Sequence, residues 1–187
     1  MTSTLLDPSF LGPAADPPAG SVRRTTAAGL AAALAAVADR WLDLVEFRAA
    51  SRWTHLLPTA EAARLVDPAL ADDLAGAQVW LLSWLPEQGT PLHDHGDSSG
   101  AFAVVRGALA ERVVGRSGTG VRDLTAELTG GRVRHFGPHY VHQVINSRPE
   151  PAVSVHVYTP RLTVMNTYRM DGADLVHTGS ERAGVDW

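Results

Sequence analysis

From Ala77 onward, apolar residues come in short runs, and several of these alternate with polar positions. "AQVWLLSWL", "GAFAVVRG", "ALAERVVG", "RVRHFG", "HQVIN", "AVSVHVYTP" and "LTVMNTYRM" are separated by Gly, Pro, Asn and Ser. Short strands punctuated by turn residues predict a sandwich or barrel. The first part of the chain has a different period. Leu30, Leu34, Val37, Trp41 and Leu44 recur at helical spacing within an alanine-rich stretch, which predicts a helix over 25–47. Residues 59–75 predict one or two short helices interrupted at Pro68. Residues 1–24 are rich in Pro, Gly and Ala and read as a loose arm. The expected fold is mainly β. A single domain over 25–187 places N-terminal helices at about 25–75 before a β-barrel or jelly roll at about 77–175.

Composition narrows the function. The chain has 187 residues, 45% of them hydrophobic, and a net charge of −4 without a basic stripe. That argues against nucleic acid or an anionic membrane surface as partner. No apolar run reaches transmembrane length. Arg23 and Arg24 precede the alanine-rich run, loosely as in an export signal, but the periodicity continues past Asp39 and favours a helix. A cytoplasmic monomer is expected. Cysteine is absent, so disulfides and thiolate ligands are excluded, and any metal must be held by His, Asp or Glu.

The candidate chemistry starts at "PLHDHG". On a strand, residues two apart share a face, so His93 and His95 aim at one point while Asp94 turns away. Inward-facing imidazoles are costly unless their lone pairs are used, and a divalent metal uses them. A third ligand is offered by "GPHYVHQVIN", which contains His139 and His142. A second pattern lies in "AVSVHVYTP", where Ser154, His156 and Tyr158 alternate along one strand and share a face. There serine can fix the histidine tautomer and histidine can orient the phenol toward a neighbouring metal.

The stretch 91–107 resembles the first cupin motif, with His93, His95 and Gly107 in place and Gly100 where that motif has glutamate. His142 and Asn146 are similar to the end of the second motif, which makes His142 the better third ligand. A cupin that lacks the glutamate and keeps three histidines resembles the cysteine dioxygenase family. Ser154, His156 and Tyr158 match that family's triad residue by residue, and the likeness runs over roughly 50–170. The resemblance implies a mononuclear Fe(II) enzyme that converts a small thiol, cysteine or a relative, to its sulfinic acid with O₂. With glycine at position 100, no thioether crosslink to the tyrosine can form. His55 in "WTHLL" stands where the family places its carboxylate-binding arginine. Arg52, three residues away, would face the opposite side of a strand. Arg161 and Met165 are further candidates for the pocket mouth and wall. His135 and His139 read as structural or surface residues, and Asp94 and Asp97 as turn residues or supports behind the ligands. A cupin oxygenase of a non-thiol substrate and a non-catalytic ligand-binding cupin are the alternatives.

Overall fold

A computed structural model describes residues 24–117 and 120–183. The arm expected at 1–24 falls almost wholly outside them. The first helix, α1 (Ala27–Ala36), is capped by Thr26, whose hydroxyl accepts from Gly29 N at 3.2 Å. It is shorter than its apolar period suggested. Two 3₁₀ turns, Ala38–Arg40 and Leu42–Leu44, replace the helix beyond Val37. Tertiary partners explain the change. The Trp41 indole donates back to Leu34 O at 2.9 Å, and the Arg40 guanidinium donates to the carbonyls of Leu65 and Arg64. Leu30, Leu34 and Trp41 remain buried on the face the period picked out. No helix among the described residues is long and apolar enough to cross a membrane.

A strand that the period reading did not expect follows, β1 (Trp53–Leu57). It precedes α2 (Thr59–Leu65), a 3₁₀ turn at Pro68–Leu70 and α3 (Ala71–Ala75). The remaining strands are β2 (Gln78–Trp84), β3 (Leu92–Asp94), β4 (Ser99–Arg106), β5 (Ala108–Ser117), β6 (Gly120–Thr129), β7 (Val133–Phe136), β8 (Val141–Ile145), β9 (Ala152–Thr159), β10 (Val164–Asp171) and β11 (Asp174–Arg182). They form a five-stranded sheet in the order β1-β2-β9-β4-β7 and a six-stranded sheet in the order β11-β10-β3-β8-β5-β6. The strand region thus extends to Arg182, past the expected end near 175. β6 and β11 are edge strands whose residues are mostly polar, which hid them from a search for apolar runs.

The five-stranded sheet is buried on both faces, and its pleat divides the work. Val153, Val155 and Val157 of β9, Val79 and Leu81 of β2 and Ala101 and Ala103 of β4 pack with Leu30, Leu34 and Trp41 in one apolar cluster. The alternate residues face the other sheet. Trp80, Leu82, Trp84, Phe102, Val104 and Tyr158 meet Leu109, Leu128, Val144 and Met165 between the two sheets. Burying a large apolar side chain contributes about 1.5–3 kcal/mol, so both layers hold the central strands in register. Antiparallel pairing then sets side chains into interior rows. Trp80, His156, Phe102 and Arg134 lie across one row, and Gln78, Tyr158, Gly100 and Phe136 across another.

Gly107 links β4 to β5 with φ of 73°, and a Cβ there would meet Pro151 O at 2.6 Å. Both the left-handed backbone and the close carbonyl require glycine. Gly107→Ala is expected to destabilise the protein by at least about 2 kcal/mol, the sum of left-handed strain and overpacking. Urea unfolding of the full chain measures this; an unchanged midpoint would mean the turn has room.

Candidate metal centre

β3 and β8 are adjacent antiparallel strands, and their register sets His93 directly opposite His142. His95 follows just past the end of β3, where Asp94 steers the chain: its Oδ1 accepts from Gly96 N at 2.8 Å. The same buried carboxylate accepts from Asn166 Nδ2 at 2.8 Å and Tyr168 Oη at 2.7 Å, both on β10. Asp94 therefore faces away from the cavity and ties the back of the three-residue strand to its neighbour. On the front, one ring nitrogen each from His93, His95 and His142 lies within 4.8 Å of the others. All three residues are buried.

The hydrogen bonds settle which nitrogens are free. His93 Nδ1 lies 3.0 Å from Pro91 O, an acceptor only, so Nδ1 carries the proton and Nε2 keeps its lone pair. His142 Nδ1 lies 2.8 Å from Glu111 Oε1, while its Nε2 is buried without a partner. Neither ring nitrogen of His95 has a hydrogen-bond partner. Burial, first, and neighbouring positive charge hold His93 and His95 well below the usual histidine range. Neutral imidazoles with orphaned lone pairs in a dry space fit a divalent cation, which uses those lone pairs and requires deprotonated ligands. The donor set is all nitrogen, and no protein carboxylate belongs to the cluster among the described residues.

The second pattern shares this cavity in part. His156 and Tyr158 line it, and Ser154 stands behind them. Trp84 Nε1 donates to Ser154 Oγ at 2.9 Å, and Ser154 Oγ lies 2.9 Å from His156 Nε2. The hydroxyl thus accepts from Trp84 and bridges it to His156. The His156 ring stacks on Phe102 at 5.0 Å, and burial pushes its pKa down to about 3. Its expected hydrogen bond to the phenol is not made. The rings of His156 and Tyr158 lie 6.5 Å apart at 25°, stacked side by side as the i, i+2 pleat dictates. Tyr158 instead packs its ring 4.9 Å from that of His95, and burial raises its pKa. At Gly100 a Cβ would stand 2.6 Å from the Phe136 ring and 3.0 Å from Tyr158 Cδ1. The space a crosslinking side chain would need is filled by Phe136.

The substrate-binding expectations divide. Met165 is on the cavity wall. His55 is not: it shares the parity of Trp53 and Leu57, which pack toward the helices, and it stacks on Trp53 at 5.5 Å and 2°. Arg161 also points elsewhere, with Nη2 3.4 Å from Thr59 Oγ1 and 3.5 Å from Ala75 O. The cation in the cavity is Arg52, on the side of the strand opposite His55. Its Nη1 donates to Gly89 O at 3.1 Å, its guanidinium lies 5.4 Å from the Trp84 ring centre, and its Nε is buried without a partner. Burial lowers its pKa, opposed by Tyr158 and Glu181. No described carboxylate forms an ion pair with it. Trp80, Leu82, Trp84, Thr90 and Val144 complete the lining. Asp97 and His139 are exposed and 3.4 Å apart, and His135 is exposed on β7, as read for surface residues.

Sequence reading set Arg52 and His55 on opposite faces of a strand but, following the resemblance, turned His55 inward; with β1 not recognised, Trp53 and Leu57 could not show which face is committed to the helices. Glu111 was missed. The signal was present: Glu111 is in phase with Leu109, a charged residue on an otherwise apolar face.

Two sheets closing over an interior metal-ligand cluster define the cupin, or double-stranded β-helix, class. Within it, the chain belongs to the cysteine dioxygenase type I family, whose family model matches residues 69–171. Family and three-histidine cluster together support a metal-dependent cupin oxygenase. Among solved structures, oxalate decarboxylase from Bacillus subtilis matches with 15% identity over 68% of this chain and 30% of its own, at a TM-score of 0.50. An oxalate oxidase in complex with glycolate matches with 16% identity over 60% of this chain, at a TM-score of 0.48. This chain spans 53% of that oxidase's length. A cupin superfamily protein from Desulfitobacterium hafniense matches with 11% identity over 63% of this chain and 84% of its own, at a TM-score of 0.45. These likenesses concern the fold.

The lowered histidine pKa values carry a pH signature in the metal-free protein. Unfolding returns His93, His95 and His156 to an ordinary pKa near 6.5, so below that pH the unfolded chain binds more protons than the folded one. Stability is therefore level above about pH 7 and falls as pH drops toward 5, by about 2 kcal/mol from His156 alone. Urea midpoints of the metal-free protein across that window measure it. A midpoint that rises on acidification would show these imidazoles are charged when folded.

Proposed function

We propose that the protein is a mononuclear non-haem Fe(II) thiol dioxygenase whose substrate is a small thiol carrying a carboxylate. One observation supports this above the others: a partly buried guanidinium without an ion-pair partner, Arg52, lines the same cavity as His93 and His142, two of the three converging imidazoles. A buried cation with no counter-charge is costly, and a carboxylate ligand supplies that charge with a matching pair of acceptors. The reading carries the family's chemistry onto this chain with Arg52, not His55, as the carboxylate anchor.

His93, His95 and His142 would hold the iron. Bound there, Fe(II) would supply a redox-active centre with open positions, at which a thiol and dioxygen react. Both oxygen atoms are added to sulfur, which loses as many electrons as dioxygen gains, so no further reductant is consumed. The chain's own residues bind and orient. Arg52 holds the carboxylate at one end, fixing where the sulfur lies. Trp84, stacked beneath the guanidinium and bonded to Ser154, keeps that cation in place. Tyr158, whose pKa burial raises, would stay a phenol and donate a hydrogen bond to a bound ligand. Ser154 and His156 back the wall behind it. Trp80, Leu82, Val144 and Met165 exclude water.

The test is oxygen uptake by the iron-loaded full chain with a panel of small thiols, with and without carboxylates. Under ¹⁸O₂, both labels are expected in a sulfinate product. Arg52→Gln should lower kcat/KM for a thiol carboxylate by about 30–150-fold, the loss of a charge-assisted pair worth about 2–3 kcal/mol. It should change kcat/KM little for a thiol without a carboxylate, and His55→Ala should leave both unchanged. An equal effect of Arg52→Gln on both thiols would remove it as the anchor. Turnover of a carboxylate lacking sulfur, with no thiol oxidised, would favour a non-thiol oxygenase. Tyr158→Phe should lower kcat by about 10–100-fold with metal content unchanged; an undiminished kcat would leave the phenol as wall only.

A further inference from the structure

Glu111 is a carboxylate with no exposed surface, placed on the inward face of the barrel wall. It stands on β5 two residues from Val113, which pairs with His142 on β8, so Glu111 and His142 share the inward face. Its Oε1 lies 2.8 Å from His142 Nδ1, and its Oε2 lies 2.5 Å from Arg134 Nε. Arg134 comes from the opposite sheet: it pairs with Phe102 across β7 and β4, in the row that also holds His156. The Tyr140 ring packs 5.4 Å from that of His142 on the same side. The ion pair thus joins the two sheets behind one ligand histidine. His93 has only a backbone carbonyl in the equivalent place, and His95 has no partner at all. The three ligands are therefore supported unequally.

We infer that Glu111, held by Arg134, is a positioning residue for the metal centre: it fixes His142 in the Nδ1–H tautomer and raises the donor strength of Nε2. A carboxylate can only accept from a neutral imidazole, so the proton must sit on Nδ1 and the lone pair on Nε2. Negative charge at Nδ1–H increases electron density on the ring, as carboxylate partners of ligand histidines generally do. Arg134 anchors the carboxylate from the opposite sheet and prevents it from swinging into the cavity to become a fourth ligand. This rests on the three-histidine site and is independent of which substrate the cavity takes.

The test uses zinc alone as probe and the full chain. Zinc affinity is measured by competition with a chelator, and the His142 tautomer by ¹⁵N NMR of imidazole-labelled protein, for wild type and Glu111→Gln. The expected results are an Nδ1–H tautomer for His142 in the wild type and a loss of zinc affinity of about 10–100-fold in Glu111→Gln. Thermal unfolding of the metal-free variant reports any separate structural cost. A folded Glu111→Gln protein that binds zinc within about two-fold of wild type would overturn the inference, with the three-histidine site left standing. Wild-type His142 found without a proton on Nδ1 would overturn it even if the variant failed to fold. A wild type that bound no zinc would overturn both this and the metal site.

Discussion

The alternation of a pleated strand, applied to a sheet buried on both faces, is the constraint from which the site follows. Odd residues of β9 serve the helical layer and even residues serve the cavity, so a run of eight can be buried almost throughout and still carry Ser154, His156 and Tyr158 inward. The same rule places Trp80, Leu82 and Trp84 inside and sets His55 outside. A slip of one residue would exchange the two sets and destroy both layers. The helices are therefore part of the site's construction although none of their side chains lines its cavity. They supply the second apolar surface that locks the sheet's register.

Onto that frame the interior adds few polar groups, each with a defined partner or an evident vacancy. Asp94 accepts three hydrogen bonds behind β3, Ser154 links Trp84 to His156, and Glu111 joins His142 to Arg134. What remains unpartnered around the cavity is a pattern in itself: ring nitrogens of His95 and His142 and the Nε of Arg52. Acceptors for a cation and a donor for an anion face one cavity. A metal ion and an anionic substrate together satisfy both, which neither does alone.

Much of this was legible in the sequence. The strand grammar after Ala77, the His93–His95 pair and the Ser154–His156–Tyr158 alternation are local patterns, and each lies on the face its spacing implies. Long-range choices were not legible. The helix period continued past Val37, but Trp41 and Arg40 found tertiary partners that ended the helix early. β6 and β11, at a sheet edge with polar exposed faces, lacked the apolar signal of the inner strands. Missing β1 had the largest consequence, because which of Arg52 and His55 looks inward depends on the face to which Trp53 and Leu57 are committed. Glu111 shows the converse. Its phase was visible in the strand, but its partners Arg134 and His142 lie 23 and 31 positions away in sequence and meet it only in the fold.

The proposed function requires that His93, His95 and His142, with no carboxylate, hold one iron in a cavity that admits a small thiol. Iron-edge X-ray absorption on the full chain loaded with Fe(II), recorded before and after addition of a short thiol carboxylate, tests this directly. The expected result is protein scattering from three imidazoles, with a sulfur scatterer appearing when the thiol is added. A protein carboxylate on the iron, or an iron environment that the thiol leaves unchanged, would contradict it.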